Sequence, residues 1–173
     1  MQLTDLPWLQ MSGAMAGGLV GSFSGFIANS VHEQGERRRV RRNIACAVIG
    51  EIGALSDQLE GPYMALLRTS MESYEQGGGH LHHHFRADRD YMPVFRAIGG
   101  SIGYLPTPLP RDLVAWYTAL GTTLERARAI HELAVHHDPD LRARAIELVR
   151  VQHTSLTALL ESAKPLLERL GRL

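Results

Sequence analysis

Apolar residues recur every three or four positions along most of the chain from residue 40 onward, which is the spacing that places them on one face of an α-helix. No stretch alternates apolar and polar residues as a half-buried strand does. The pattern therefore predicts an all-α protein. Its first stripe comprises Val40, Ile44, Val48, Ile52, Leu55 and Leu59.

Glycine and proline mark the predicted ends of the helices that follow. Gly61 and Pro62 end the first helix, and Pro62 suits the first turn of the second, which stops at the triglycine 77–79. A short helix is predicted near residues 90–98. Residues 102–110 contain three prolines and are predicted to form a stiff, extended connector.

The clearest helix of the chain begins at Pro110. Residues 138–140 are expected to end it and to cap the next helix, and Pro165 is expected to bend the final segment. The apolar positions of the helix that begins at Pro110 alternate spacings of four and three, as in a coiled coil. We expect them to join the bundles of separate subunits. This apolar seam, as we name it, consists of Leu113, Tyr117, Leu120, Leu124, Ala127, His131 and Ala134.

The N-terminal part of the chain differs from the rest because residues 6–31 carry no formal charge. A helix of about 20 residues crosses the hydrocarbon core of a bilayer, so this stretch is long enough to span it. Its glycines recur every four residues and would let neighbouring membrane helices approach closely. The sequence predicts a self-associating transmembrane helix packed through Gly13, Gly17, Gly21 and Gly25. A flexible arm, or a soluble helix against a partner, is the alternative.

Five arginines in six positions follow this stretch. Arginine-rich flanks remain on the cytoplasmic side of a membrane, which predicts an inner-membrane protein with its N-terminus outside. Trp8 stands where an aromatic anchor at the membrane interface is expected. The cluster, which we expect to set topology and contact anionic lipid headgroups, is Arg37, Arg38, Arg39, Arg41 and Arg42.

Three regions are therefore expected: a transmembrane segment at 1–31, an arginine-rich juxtamembrane helix at 32–60 and a cytoplasmic helical bundle at 61–173. The 18 basic and 18 acidic residues balance, so no overall field attracts nucleic acid. A single cysteine, Cys46, excludes an intramolecular disulfide, and its place in a helix favours a packing role. No cofactor is expected.

A histidine cluster follows the triglycine. Imidazoles bind zinc, nickel and copper, so a metal site is one interpretation. Adjacent histidines in a glycine-flanked loop do not easily face one ion, which favours a solvated loop instead. The cluster is His80, His82, His83 and His84.

Arg126 and His131 form an Arg-x4-His pair. The pair resembles the motif of HEPN-type ribonucleases, which are all-helical proteins whose metal-independent site combines arginine and histidine from two protomers. The resemblance implies that His131 would move the proton of a ribose 2′-hydroxyl and that Arg126 would stabilise the phosphorane charge. Ala127 stands where that family has a polar residue, and His131 falls on the apolar seam, so a core histidine is the alternative.

Three segments, 93–97, 102–106 and 113–117, resemble a group of bacterial membrane proteins without an assigned activity. That group has one N-terminal span, an arginine-rich helix and a small cytoplasmic helical domain. The layout is also similar to that of the HEPN-like membrane accessory proteins of RNA-guided antiviral systems, which look like oligomeric pores. Neither resemblance supplies a functional residue beyond the Arg-x4-His pair.

The sequence favours a non-enzymatic, homo-oligomeric inner-membrane protein, either pore-forming or an effector of stress or phage defence. Its expected partners are the lipid bilayer, other copies of itself and a protein still to be identified. A membrane-tethered HEPN-like ribonuclease and a soluble helical binding module are the alternatives.

Overall fold

The computed structural model describes residues 34–76, 90–134 and 138–173, and in these ranges the chain is helical with no strand, which confirms the predicted all-α class. The chain divides into two compact units, residues 1–41 and residues 42–173. The predicted span and its glycines, together with Trp8, lie outside the described residues. Within them, no helix is both long enough and apolar enough to cross a bilayer.

Residues 34–58 are helical, and the part that belongs to the second unit, 42–58, is named α1. A π-helical turn, Leu59–Tyr63, leads from it directly into α2. The remaining helices of the second unit are α2, Met64–Glu75; α3, Pro93–Ile98, which continues into the 3₁₀-helix Gly99–Tyr104; α4, Leu109–Ala134; and α5, Pro139–Gly171. The predicted juxtamembrane region, 32–60, thus contains the boundary between the units.

The core of the second unit is built from the predicted apolar stripes. Five of the six residues predicted for the first stripe are buried, and they are Ile44, Val48, Ile52, Leu55 and Leu59. Val40, the remaining member, belongs to the first unit and is 37% exposed. The spacing of three and four residues therefore identified the face of α1 that the bundle covers.

The apolar seam lies on α4, inside this core. Leu113 and Leu120 are fully buried, and Tyr117 and Ala127 nearly so. The expectation that the seam joins separate subunits is wrong, because its central side chains are covered by the other helices of the same chain. A coiled-coil-like spacing does not distinguish packing within a chain from packing between chains.

Helices α4 and α5 pack against each other in antiparallel orientation. The indole Nε1 of Trp116 donates to the carbonyl of Leu159 at 3.2 Å. An ion pair joins Arg169 at the end of α5 to Asp112 at the start of α4, with 2.6 Å between Nη1 and Oδ2. The side chain of Asp138 accepts from the backbone N–H of Asp140 at 2.9 Å and caps α5, as predicted.

The turn at Gly61 and Pro62 is not a break. Proline has no N–H to donate, and the chain widens into a π-turn in which the Met64 N–H points to the carbonyls of Leu59 and Gly61. Pro62 therefore lies inside this π-turn rather than in the first turn of α2, which begins at Met64, and the turn joins the two helices without a loop.

The connector predicted to be extended from residue 102 is 3₁₀-helical as far as Tyr104 and becomes extended only at Leu105. Side chains three residues apart eclipse each other in a 3₁₀-helix, and glycine removes that conflict. Gly100 and Gly103 stand in this relation, and so do Gly99 and Ile102. The glycines, rather than the prolines that follow, decide the local conformation.

Helix α5 continues past Pro165 to Gly171, so the final segment that Pro165 was expected to bend belongs to the same helix. Pro165 cannot donate to the carbonyl of Glu161, four residues earlier. Both residues are exposed, so that carbonyl can bind water instead. Cys46 is also exposed, and the packing role expected for it is wrong: it lies beside the buried stripe of α1 rather than on it.

Candidate functional site

Four of the five clustered arginines are exposed: Arg37, Arg38 and Arg39 on the helix of the first unit, and Arg42 at the start of α1. Arg41 is partly covered. The four glycines and Trp8 lie outside the described residues, as do the histidines of the cluster at 80–84. Among the residues that the structure does describe, no group of acidic, histidine or cysteine side chains is arranged to hold a metal ion.

Arg126 lies half-buried between α4 and α5. Its Nη1 donates to the Oγ of Ser155 at 3.0 Å and to the Oε1 of Gln152 at 3.3 Å. Both acceptors are neutral oxygens of α5, so the guanidinium links the two helices.

His131 is half-buried on the same helix. Because α4 is continuous from Leu109 to Ala134, side chains five residues apart leave it about 140° apart around its axis. One copy of α4 therefore does not bring Arg126 and His131 to the same point, and a composite site would need a second copy to supply the missing group.

A buried polar cluster surrounds Gln152, which is fully inaccessible to solvent. Its Nε2 donates to the carbonyl of Thr123 at 2.9 Å and to the hydroxyl of Tyr63 at 3.2 Å, while its Oε1 accepts from Arg126. A buried amide is costly unless its donors and acceptor are satisfied, and here they are. We name these residues the Gln152 cluster; they tie the π-turn before α2 to α4 and α5.

Burial raises the pKa of Tyr63 to about 12. The hydrogen bond with Gln152 and the charge of Arg126 act in the opposite direction, but loss of solvent has the larger effect. The phenol is therefore neutral at every physiological pH and serves as a hydrogen-bonding group rather than as a base.

A second buried polar group lies between α1, α3 and α4. The carboxylate of Glu51, which is 9% exposed, accepts the backbone N–H of Val94 at 2.7 Å and that of Phe95 at 3.0 Å. These amides belong to the first turn of α3, where helix N–H groups have no partner within the helix. Glu51 thus caps α3 from a different helix, and we name this arrangement the Glu51 cap.

Tyr117 completes the Glu51 cap. Its hydroxyl donates to Oε2 of Glu51 at 2.6 Å, and its ring stacks on that of Phe95 with 3.9 Å between centroids. Trp116 packs edge-on against the Tyr117 ring, with 5.1 Å between the ring centroids. Burial and the hydrogen bond to the carboxylate raise the pKa of Tyr117 well above its usual value, so the phenol remains a donor.

Two side-chain polar atoms among the described residues of the second unit are buried without a hydrogen-bond partner: Oγ of Ser56 and Nε2 of His153. His153 is half-buried as a residue. Neither atom lies in the Gln152 cluster or the Glu51 cap as their hydrogen bonds define them.

Glu51 and Gln152 were not identified as important from the sequence, although it contained a signal for both. Glu51 lies three residues after Val48 and four before Leu55, and Gln152 has the same relation to Val149 and Leu156. Each is a polar residue at a position where the helical period places a buried side chain. Their partners, 26 to 89 residues away in the sequence, could not be found by spacing.

The outer side of the α4–α5 pair has a shallow groove of about 410 Å³. Small side chains, Ala115 and Ala119 of α4 and Ser162 of α5, form much of its wall. The hydroxyl of Ser162 donates to the carbonyl of Leu159 in its own helix and so does not point to a ligand.

The two polar clusters connect helices and keep their donors and acceptors engaged, which is the chemistry of a structural scaffold. Comparison of the chain with protein-family models, with curated proteins and with solved structures finds no match.

Proposed function

We propose that the chain is a homo-oligomeric protein of the inner membrane, in which residues 6–31 cross the bilayer and the helical unit 42–173 lies on the cytoplasmic side. The observation that carries the proposal is the position of the exposed arginines. Arg37, Arg38 and Arg39 follow the 26-residue uncharged stretch and project from a helix instead of joining a protein core. Exposed arginines beside an uncharged stretch suit the cytoplasmic headgroup region.

The second unit supports a structural rather than a catalytic role within this proposal. The arginine of the Arg-x4-His pair donates to Gln152 and Ser155 and so helps hold α4 to α5. The buried carboxylate of Glu51 accepts two backbone amides and a phenol. These groups already have partners that a substrate would have to displace.

Alkaline carbonate extraction of membranes from cells that express the untagged chain tests the membrane part of the proposal. We expect the protein to remain in the pellet, because carbonate removes proteins held by charge but not those that span the bilayer. Release into the supernatant would exclude the span and would favour the soluble binding module.

The Gly21→Leu variant tests self-association through the glycines. A leucine in the stripe would separate helix backbones that glycine lets approach, so we expect a smaller oligomer in detergent with unchanged helical content. Ala16→Leu provides a control, because at about 100° per residue position 16 lies away from the stripe of the four glycines. An unchanged oligomer mass for both variants would exclude the glycine stripe as the contact.

Pore formation is the most specific form of this proposal. The uncharged stretch contains Ser12, Ser22 and Ser24, whose hydroxyls could line water if enough spans formed a ring. Dye release from liposomes that contain the purified oligomer would support a pore. Intact liposomes would leave a membrane-anchored assembly without a conducting path.

A further inference from the structure

The outer side of the α4–α5 pair carries no charge over much of its length. On α4, residues 113–124 contain no charged side chain, and five of them are exposed. On α5, four exposed residues spaced by seven, four and three positions lie on the side that meets the groove, and they are also uncharged. We name these nine residues the outer face; they are Val114, Ala115, Thr118, Ala119 and Thr122 of α4 and Val151, Ala158, Ser162 and Pro165 of α5.

The outer face differs from the other exposed helix surfaces of the second unit. The exposed positions of α2, for example, include Arg68, Glu72 and Glu75. A helix surface that faces water is ordinarily rich in charged and polar side chains. On the outer face, by contrast, Val114 and Val151 are each 48% exposed. An exposed apolar patch that extends over two helices is typical of a surface that contacts another protein.

The hydroxyl groups of the outer face donate to their own helices. Oγ1 of Thr118 donates to the carbonyl of Val114 at 2.8 Å. Oγ1 of Thr122 donates to the carbonyl of Thr118 at 3.2 Å. Oγ of Ser162 donates to the carbonyl of Leu159 at 2.7 Å. None of these hydroxyls has a proton left for a polar ligand, so the outer face suits the packing of a helix better than the binding of a small polar molecule.

Two charged residues of α4 lie symmetrically about Thr118. Arg111 is seven residues before it and Glu125 is seven residues after it. Seven residues make nearly two helical turns, so both side chains leave α4 within about 20° of the direction of Thr118 and about 10 Å from it along the axis. Both are exposed, and neither forms an ion pair with another residue that the structure describes.

We propose that the outer face binds the outer face of a second copy of the chain, with the two α4 helices antiparallel about a two-fold axis at Thr118. Arg111 of each copy then lies level with Glu125 of the other, so an ion pair closes each end of the contact. A parallel arrangement would set arginine beside arginine, so the charges select the antiparallel one. The contact rests on the homo-oligomeric state proposed above but not on the membrane span.

The pairing leaves two other features of α4 outside the contact. It brings Arg126 of one copy level with Pro110 of the other, about 30 Å along the helix from that copy's His131, so it does not assemble the Arg-x4-His pair. Gly121 lies about 120° around α4 from Ala115 and is not part of the outer face, so the space at its Cβ position remains open.

Disulfide cross-linking of the purified full-length protein tests the pairing. Cys46→Ser removes the single native cysteine, and Thr118→Cys then places one thiol on the two-fold axis. Close-packed helices bring equivalent Cα atoms at such a point within the about 4.4–6.8 Å that a disulfide spans. We expect mild oxidation to convert most of the chain to a covalent dimer on a non-reducing gel.

Ala54→Cys in the same Cys46→Ser background is the matched control, because Ala54 is also exposed but lies on α1. We expect about ten times less covalent dimer from it. Equal amounts of dimer from the two positions, or no dimer from Thr118→Cys, would overturn the pairing. The mass of the oligomer in the same samples separates the two proposals: an oligomer without the cross-link overturns only the pairing, whereas a monomer overturns the homo-oligomeric state as well.

Exchange of the two charges tests the antiparallel orientation. Arg111→Glu or Glu125→Arg, each added to Thr118→Cys, sets like charges together at both ends of the contact, so we expect about fivefold less covalent dimer. The double variant restores opposite charges and should return the yield to within about twofold of that of Thr118→Cys alone. Single variants that leave the yield unchanged, or a double variant that does not restore it, would overturn the antiparallel pairing.

Discussion

The side chain of Gln152 connects three separate parts of the second unit: α5, α4 and the π-turn before α2. It is fully buried and bonded to Tyr63, to Arg126 and to the carbonyl of Thr123. We expect Gln152→Ala to lower the free energy of unfolding by about 2–4 kcal/mol, since it leaves a cavity and unpaired polar groups. Chemical denaturation followed by circular dichroism measures the change.

Thr154→Ala is the control for that experiment, because Thr154 is exposed on the same helix and bonds only to a carbonyl of its own helix. It should change stability by less than about 0.5 kcal/mol. Equal effects of the two variants would mean that the Gln152 cluster contributes nothing particular to the fold.

Tyr63 and Tyr117 predict how stability depends on alkaline pH. The folded state raises the pKa of Tyr63 to about 12 and raises that of Tyr117 as well, whereas unfolded tyrosine ionises near pH 10. The unfolded chain therefore loses these protons first, so stability is fully present below about pH 10 and declines as the pH rises toward 12. Ultraviolet titration of phenolate absorbance, read beside circular dichroism, should show both tyrosines ionising together with unfolding.

The Tyr63→Phe variant identifies one of these groups. It should remove one tyrosine's absorbance from the late part of the titration and leave the earlier part unchanged. Loss of absorbance near pH 10 instead would show that Tyr63 is accessible in the folded state, contrary to its bonding with Gln152.

At the scale of the element, α4 contains a glycine that lowers its helical stability. Gly121 lies in the middle of a 26-residue helix, and nothing lies within 4 Å of the position its Cβ would occupy. Gly121→Ala should therefore raise the free energy of unfolding by about 0.5–1 kcal/mol, because alanine loses less backbone freedom on folding. Thermal or chemical denaturation of the full chain checks the sign.

Gly171→Ala serves as the comparison, because Gly171 also has open space around its Cβ position but is the last residue of α5. We expect a smaller gain there. If Gly121→Ala destabilises the protein, the space beside α4 is occupied, for instance by another copy of the chain.

The helices could be predicted from the sequence where apolar residues recur on one helical face. The stripe of α1 and the seam of α4 are buried where the spacing placed them. The 3₁₀-helix Gly99–Tyr104 was missed because prolines nearby suggested an extended chain, while the glycines control the tight turn. The role predicted for the apolar seam was also wrong, because periodicity marks a buried face but does not identify what covers it.

The tertiary hydrogen bonds of the elements could not be predicted in this way. Glu51 forms hydrogen bonds with Val94 of α3, 43 residues later in the sequence, and with Tyr117, 66 residues later. No local pattern encodes contacts at such sequence separations. What the sequence does contain is the conflict of a charged side chain on an apolar stripe. Such a conflict predicts a buried polar partner without naming it.

At the scale of the whole molecule, the chain divides between Arg41 and Arg42, inside the cluster expected to set membrane topology. The buried stripe of α1 begins soon afterwards at Ile44. Charged, exposed positions therefore give way to core positions within one turn of helix. A residue of α1 a few positions after the arginines therefore tests the side of the membrane that the proposed topology assigns to them.

Cys46 is such a residue, because it is the single cysteine of the chain and is exposed on α1. We expect a membrane-impermeant maleimide to label it in inside-out vesicles but not in intact spheroplasts, since the proposed topology places α1 in the cytoplasm. The matched variant carries Cys46→Ser together with Gln2→Cys and should show the reverse pattern. Labelling of Cys46 in intact spheroplasts would invert the topology, and labelling of both positions from the cytoplasmic side alone would exclude a single span. The measurement depends on exposure and sidedness, so its result does not require knowledge of the oligomer or of any activity.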